Sequence, residues 1–334
     1  MNYFSICRDQ SLAIYTLTCQ FTVKICIFEC VFTLNTEFKM INKTTKDKIQ
    51  ALHIQYLNLA KGNESVLTEI TLAEIPEMVY NSNAIENSTL SLEDTEKILA
   101  GGSLERKVNV REIYEAKNLA KLTESLIEKN KSRLNIKLIL SLHKTLLTNI
   151  DDTIAGRFRV GKEWVHVGNH LGANPKFVPT LMQELVDNYN QNKISNFIDA
   201  VAHFHAEFET IHPFVDGNGR MGRALINLQL VHLGFPPIII QNKSKHTEYY
   251  PLFTQYQSTL KFGDFTALFA LLLQESLHKR ITILTAKKII PLALWASQQG
   301  VKPNVAANKA KRQTIPAFRL REKWMIAEEF TSPN

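Results

Sequence analysis

The chain has 334 residues, 45% of them hydrophobic and 21% charged. That is enough apolar sequence for a sizeable core and more length than one average domain needs. Thirteen Gly and eleven Pro exclude a collagen-like or low-complexity chain, and no uncharged apolar run reaches the roughly 18 residues of a membrane span. The formal charge is +7, unevenly spread: Lys287–Ile326 holds nine of the 39 Lys and Arg against a single acid, Glu322. The rest of the chain is close to neutral, so a partner attracted by charge alone would be met at the C-terminus.

In chain order, the four cysteines (Cys7, Cys19, Cys26, Cys30) all precede Met40. A disulfide framework across the fold is excluded, as expected for a reducing cytoplasm. Cys26 and Cys30 have no nearby His to complete a metal site. Residues 1–39 also lack the pattern of a signal peptide; they read as an extension ahead of a true start at Met40, or as a disordered segment. From Thr44 to about Asn130 the pattern is helical, with apolar residues three and four apart in Asp47–Leu59 and Glu112–Ile127. Gly101-Gly102-Ser103 breaks it with a loop. A helix over Leu134–Leu147 ends in LHKTLL, and GRFR follows at Gly156–Arg159. The most strand-like stretch is Trp164–Gly168, where Val165 and Val167 alternate with polar neighbours. In Phe197–Ile211 the apolar residues Phe197, Val201, Phe204, Phe208 and Ile211 make one stripe of a core helix. The class is mostly α with a small β-hairpin.

The next residues, His212-Pro213-Phe214-Val215-Asp216-Gly217-Asn218-Gly219-Arg220-Met221-Gly222-Arg223, combine an anion site with a base. Gly217 and Gly219 permit positive φ and close backbone approach, so consecutive N–H groups can form a concave nest. The loop opens a helix with Met221, Leu225, Leu228 and Val231 on its apolar face, and helix N-termini hold phosphates. Arg220 and Arg223 are three apart on the first turn and can clamp phosphate oxygens. Asp216 supplies a hard oxygen suited to Mg²⁺ bridging phosphates. His212 can be neutral at pH 7 and accept a proton from a hydroxyl. Phe214 points inward as an anchor.

These residues resemble the Fic family signature H-x-F-x-[DE]-G-N-G-R-x-x-R at every fixed position. LHKTLL, GRFR, the Val165–Gly168 strand and the GFPP helix exit extend the resemblance over roughly residues 45–280. It implies a Fic-type helical core with a β-hairpin flap, and transfer of AMP from ATP to a Ser, Thr or Tyr hydroxyl of a target protein. By the same resemblance His212 is the general base and Asp216 the Mg²⁺ ligand. Gly217, Asn218 and Gly219 form the anion hole, while Arg220 and Arg223 hold the β- and γ-phosphates, with Met221 and Gly222 in the same nucleotide-binding turn. The strand Val165, His166, Val167 and Gly168 resembles the flap that registers the target segment by strand pairing. Tyr249 and Gln257 fall where the family lines its adenine pocket. Removal of AMP, or transfer of another nucleotide, is the alternative at this site.

Upstream, Ser82-Asn83-Ala84-Ile85-Glu86-Asn87 resembles the family's inhibitory-helix pattern [ST]-x-x-x-E-[GN]. It implies that a helix-borne Glu86 pairs with Arg223 in a bidentate contact and holds ATP unproductively. Downstream, Pro291–Gly300, Asn304–Arg312 and Thr314–Ile326 read as helix, helix and hairpin, resembling an excisionase or MerR-type winged helix-turn-helix. Asn308, Lys309, Lys311 and Arg312 are then expected to face a DNA groove, with Arg319, Arg321 and Lys323 on the backbone. A DNA-binding regulator with a Fic sensor core is the reading from a different class. The expected domains are an extension at 1–39, an N-terminal helical region with the inhibitory helix at 40–133, a catalytic core at 134–284 and a winged helix at 285–330. A cytoplasmic protein with no membrane partner is expected.

Overall fold

Short polar side chains set several of the helix starts. The computed structural model describes residues 41–128, 133–167, 170–194 and 196–331, and the extension read at 1–39 lies outside them. Asn42 accepts the Thr45 N–H ahead of α1 (Lys43–Ala60), and Asn135 accepts the Leu138 N–H ahead of α5 (Ile136–Leu147). Ser91 and Asp94 form a reciprocal capping box at α3 (Leu92–Leu99). Each such cap is worth about 1 kcal/mol. Between them run α2 (Glu64–Ile85) and α4 (Val110–Glu128).

The middle of the molecule is α6 (Val178–Asn190), α7 (Phe197–Ile211), α8 (Asn218–His232), α9 (Tyr250–Thr259) and α10 (Gly263–Thr285). Helix α7 packs against α6, α8, α9 and α10, and α4 packs against α2, α5 and α8. The apolar stripe expected on α7 is buried at Val201, Phe204, Phe208 and Ile211. Phe197, at its end, stacks on Phe235. Fully burying one such side chain stabilises by about 1.5–3 kcal/mol, which fixes the helix that leads into the His212 loop. Among the described residues, no helix is long and apolar enough to cross a membrane.

The flap is shorter than its sequence suggested. Strands β1 (His166–Val167) and β2 (His170–Leu171) pair antiparallel, His166 opposite Leu171 and Val167 opposite His170. Val165 lies outside the strand and accepts the Gly172 N–H at 3.0 Å; Gly168 lies outside the described residues.

After α10 come β3 (Ile289–Pro291), α11 (Leu292–Gln298), α12 (Pro303–Lys311), β4 (Phe318–Leu320) and β5 (Lys323–Ala327). The sheet order is β3-β5-β4, all antiparallel. Trp295 is fully buried among Ile290, Ala296, Ala310 and Ile326, and its indole N–H donates to the Phe330 carbonyl at 2.8 Å. The order from α10 is thus helix, strand, helix, helix, hairpin. β3 was not legible in the sequence because two apolar residues before a proline carry no alternation.

The wing arginines do not stand free for a DNA backbone. Arg319 forms a fork on Glu275 of α10, at 2.8 and 2.6 Å. Arg321 pairs with Glu96 of α3, and its backbone N–H donates to Glu77 of α2 at 3.3 Å. Lys243 reaches Glu322 at 2.8 Å.

Candidate active site

The loop between α7 and α8 takes its shape from buried polar bonds. Helix α7 ends with His212 in the left-handed region, φ 52°. The Asn218 amide closes a pair with the backbone of Phe214, donating to its carbonyl and accepting its N–H, both at 2.8 Å. Its side chain is therefore spent on the loop itself. Phe214 is fully buried and stacks on His143 with ring centroids 3.6 Å apart. His143 accepts the Gly156 N–H at Nδ1, so its Nε2 carries the proton that it donates to the Asp216 carbonyl at 3.0 Å. Burial pulls its pKa down to about 4. Gly217 caps α8 at φ 83°, where a Cβ would press on Leu146 and Leu147.

Arg159, from the GRFR stretch, is fully buried and spends its guanidinium on the backbone. It donates to the backbone carbonyls of His212 at 2.7 Å, Glu163 at 2.9 Å and Ala173 at 2.7 Å. One guanidinium thus ties the His212 turn to the base of the flap. Gly172 sits in the same junction: a Cβ there would lie 3.0 Å from Arg159 and 3.2 Å from His212.

His212 is largely buried. Burial lowers its pKa to about 4, helped by the Arg159 charge and opposed by the Glu209 carbonyl and Glu86. Nδ1 lies 3.3 Å from the Glu209 carbonyl oxygen, which can only accept, so Nδ1 holds the ring proton and Nε2 is the basic nitrogen. At pH 7 the ring is a neutral base.

The anion cradle holds one of the protein's own carboxylates. Any Cβ on Gly219 would collide with Glu86 Oε1. The same oxygen accepts from Arg223 Nη2 at 2.8 Å. The contact uses one carboxylate oxygen, not the bidentate pair expected; two further Arg223 donors go to Ser82, Nε to its hydroxyl and Nη2 to its carbonyl, each at 2.9 Å. Burial opposes the Arg223 charge, but Glu86 more than restores it and holds the guanidinium above its usual range. Glu86 is the C-cap of α2, past the helix interior where the sequence had placed it. The Lys245 ammonium fixes that end, donating to the carbonyls of Ala84 and Ile85 and to the Asn87 side chain. Tyr250 adds a bond to the Ile85 carbonyl at 2.7 Å.

Asp216 and Arg220 are engaged in a ring of four charges. Asp216 pairs with Arg111 and Arg220, and Glu115 pairs with the same two arginines, at 3.0 and 3.1 Å. Arg111 and Glu115 lie one turn apart on α4. Sequence reasoning missed them because such a spacing reads as an ordinary helix-surface pair. Among the described residues no three His, Cys, Asp or Glu cluster as a complete metal site. Asp216 is one hard oxygen, which fits a Mg²⁺ whose other ligands are nucleotide phosphates and water.

The remaining expected residues divide. Met221 is fully buried in the core, leaving only its backbone for a nucleotide. Gly222 faces Glu209 and His205 of α7. Tyr249, in a π-helical turn ahead of α9, is buried with its hydroxyl 2.8 Å from His205 Nε2. Gln257 lies partly exposed on α9. The groove beside α9 is lined by His246, Tyr250, Thr254 and Gln255.

Residues 133–230 match the Fic/DOC family. The chain is 35% identical over 178 residues to protein adenylyltransferase fic-1 of Caenorhabditis elegans, covering 52% of this chain and 34% of that protein. It thus spans about a third of that relative's length. The structure is similar to a Fic domain-containing signaling protein from Bacteroides thetaiotaomicron, with TM-score 0.63 and 25% identity, covering 71% of this chain and 96% of that one. It is also similar to a fragment of C. elegans Fic-1, with TM-score 0.63 and 26% identity, covering 72% and 73%.

Proposed function

Proceeding from a Fic-family domain related to protein adenylyltransferases, we propose that this protein transfers AMP from ATP to a hydroxyl of a target protein, and that Glu86 restrains the transfer. The observation that carries the reading is Gly219: its cradle admits no side chain because an anion already lies there, bound to Arg223 and in the same loop as His212. A carboxylate at the head of α8 marks where phosphate oxygens are favoured, by free N–H groups and the helix dipole.

His212 Nε2 takes the proton of the target hydroxyl as its oxygen attacks the α-phosphorus. The new O–P bond forms, the bond to pyrophosphate breaks, and pyrophosphate leaves with the electron pair. Asp216 would hold Mg²⁺, which when bound supplies charge neutralisation on the phosphates. Arg220 and Arg223 exchange their carboxylate partners for phosphate oxygens, which accounts for their burial beside acids of the same chain. Arg159 holds the His212 turn against the flap, whose exposed edge pairs with the target segment. The C-terminal segment offers duplex DNA the cations of α12 and its C-cap together with the exposed Lys323, since Arg319 is held by Glu275.

The test is mass spectrometry of a lysate incubated with the purified Glu86→Gly protein and Mg-ATP. Proteins carrying an added AMP group are expected, absent with Glu86→Gly/His212→Ala. No AMP-bearing protein, self-modification included, under conditions where ATP binds would overturn the reading.

A further inference from the structure

One acid next to His212 has no part in the scheme above. Glu209 lies one turn before it on α7, with Oε2 3.7 Å from Nδ1. Its side chain is buried, and Oε1 has no hydrogen-bond partner among the described residues. Space for that oxygen is made across the helix interface: a Cβ on Gly222 of α8 would collide with Oε1 and crowd His205. A buried polar atom left unpaired is costly, and an alanine at 222 would force this carboxyl to move. The acid is therefore accommodated at the expense of packing, immediately behind the ring that does the chemistry.

Resting on the transfer reaction proposed above, we propose that Glu209 is a positioning residue for His212. Its backbone carbonyl keeps the proton on Nδ1, which leaves Nε2 as the basic nitrogen, and its carboxylate balances the charge of the imidazolium formed when Nε2 takes the target hydroxyl's proton. The proton count is unchanged at Glu209: the hydroxyl proton moves to Nε2, the pyrophosphate bond breaks, and the ring later returns its proton to solvent. Only the ionised acid can do this.

The groups facing Glu209 are His205 and His212 on its own helix, Arg223 on α8, Glu86 at the end of α2, and Tyr249 and Tyr250 at the start of α9. Burial raises its pKa to about 8, Arg223 opposes the rise and Glu86 adds to it. His212 titrates far lower, near 4, and the tyrosines are pushed above their usual range. Between pH 6 and 9 the proposal therefore makes the rate climb as Glu209 ionises. In Glu86→Gly the climb shifts to lower pH, because the Glu86 charge that opposed ionisation is gone.

The experiment compares self-modification by Glu86→Gly and Glu86→Gly/Glu209→Gln across pH 6–9. The Gln variant is expected to lose about ten- to a hundredfold in kcat, the range for losing a group that orients a functional histidine. Its pH climb should vanish while KM for ATP stays unchanged. Equal rates and superimposable profiles overturn the proposal. A second measurement needs no variant and no turnover: the ¹⁵N resonances of His212 in the wild-type protein, followed from pH 6 to 9.5. An inflection near pH 8 is expected as the neighbouring acid ionises; a flat trace overturns the proposal even if AMP transfer is real. An inflection without AMP transfer in any variant leaves the His212–Glu209 coupling standing and removes the reaction.

Discussion

The Asp216–Arg223 loop and the basic C-terminal segment both carry arginines that a polyanion could use, and in both the protein's own acids hold them. Arg223 holds Glu86, and Arg220 holds Asp216 and Glu115; Arg319 holds Glu275, and Arg321 holds Glu96. What separates them is how easily the acid can be exchanged. Glu86 is 40% exposed, stands at a helix end and offers one oxygen. Glu275 is only 13% exposed, is gripped by both ends of a guanidinium, accepts the Arg319 backbone N–H as well, and has Trp324 stacked against that guanidinium. A phosphate can compete for the first acid at little cost. Breaking the second leaves a desolvated charge behind, which is the expensive outcome for a buried pair. The Glu86–Arg223 contact is thus the more open to exchange, while Glu275–Arg319 is a suture that ties the C-terminal segment to α10; the Arg321–Glu96 pair, 63% and 33% exposed, is no such tie.

The largest effect belongs to the loop's base. His212→Ala is expected to lower AMP transfer by about 10²–10⁴-fold with ATP affinity retained, measured by labelled-ATP transfer and by calorimetry; transfer near the wild-type rate would remove His212 from the chemistry. Next comes the exchangeable acid. A charge-assisted hydrogen bond contributes about 1.5–3 kcal/mol, so Glu86→Gly should raise transfer by roughly ten- to a hundredfold. The solvent exposure of Glu86 favours the lower end. Position 86 is the C-cap, outside the helix interior where glycine costs about 1 kcal/mol, so the variant should keep its fold. Glu86→Gly/Arg223→Ala should be inactive again. Equal rates for wild type and Glu86→Gly would make the pair a structural contact like the one at the wing.

The two regions also differed in how much their sequence disclosed. The loop is contiguous, so His212, Asp216, the two glycines and both arginines stand together in twelve residues and their chemistry could be read directly. Glu86 could be found only through a resemblance, since 137 residues separate it from Arg223 and no periodicity links them. Arg159 belonged to the GRFR resemblance, but its part in the site was not legible because its partners are backbone carbonyls, which every residue has. Arg111 and Glu115 looked like a solvated pair, and only the fold brings Asp216 beneath them. At the C-terminus the sequence counted charge correctly and misjudged its availability: Glu275 lies 44 residues before Arg319, outside the basic segment, so the arginine read as free. The helices and hairpin were legible from apolar spacing, whereas β3, three residues long, depends on β5 for its existence.

The suture predicts a change in stability rather than activity. Glu275→Gln keeps the shape and strands the Arg319 charge, so it should lower the thermal-unfolding midpoint, by an amount set by a loss of about 1.5–3 kcal/mol. Arg319→Met/Glu275→Leu should recover most of that loss, because a well-packed apolar pair can replace a buried ion pair without penalty. A double variant less stable than either single one would mean that the fork itself stabilises the docking.

The smallest effect tests what cationic surface remains for nucleic acid. With Arg319 held by Glu275, Lys309 and Lys311 on α12 and Arg312 at its C-cap are the cations of the expected recognition helix left to meet phosphates; Lys311, Arg312 and, on the hairpin, Lys323 are exposed. Three phosphate contacts give a slope of about −2.7 in log K against log salt, at about −0.9 each. Without a larger charged face, affinity should fall in the non-specific range of about 10⁻⁴ to 10⁻⁶ M. Replacing all three with Ala should abolish binding and leave AMP transfer intact, since none touches the loop. Titration of a fluorescent duplex at several salt concentrations measures both quantities. A slope of about −4 or steeper would mean that hairpin cations, Lys323, Arg321 or an Arg319 drawn away from Glu275, also meet the DNA. No binding at low salt would leave α12 as a packing element of the winged segment.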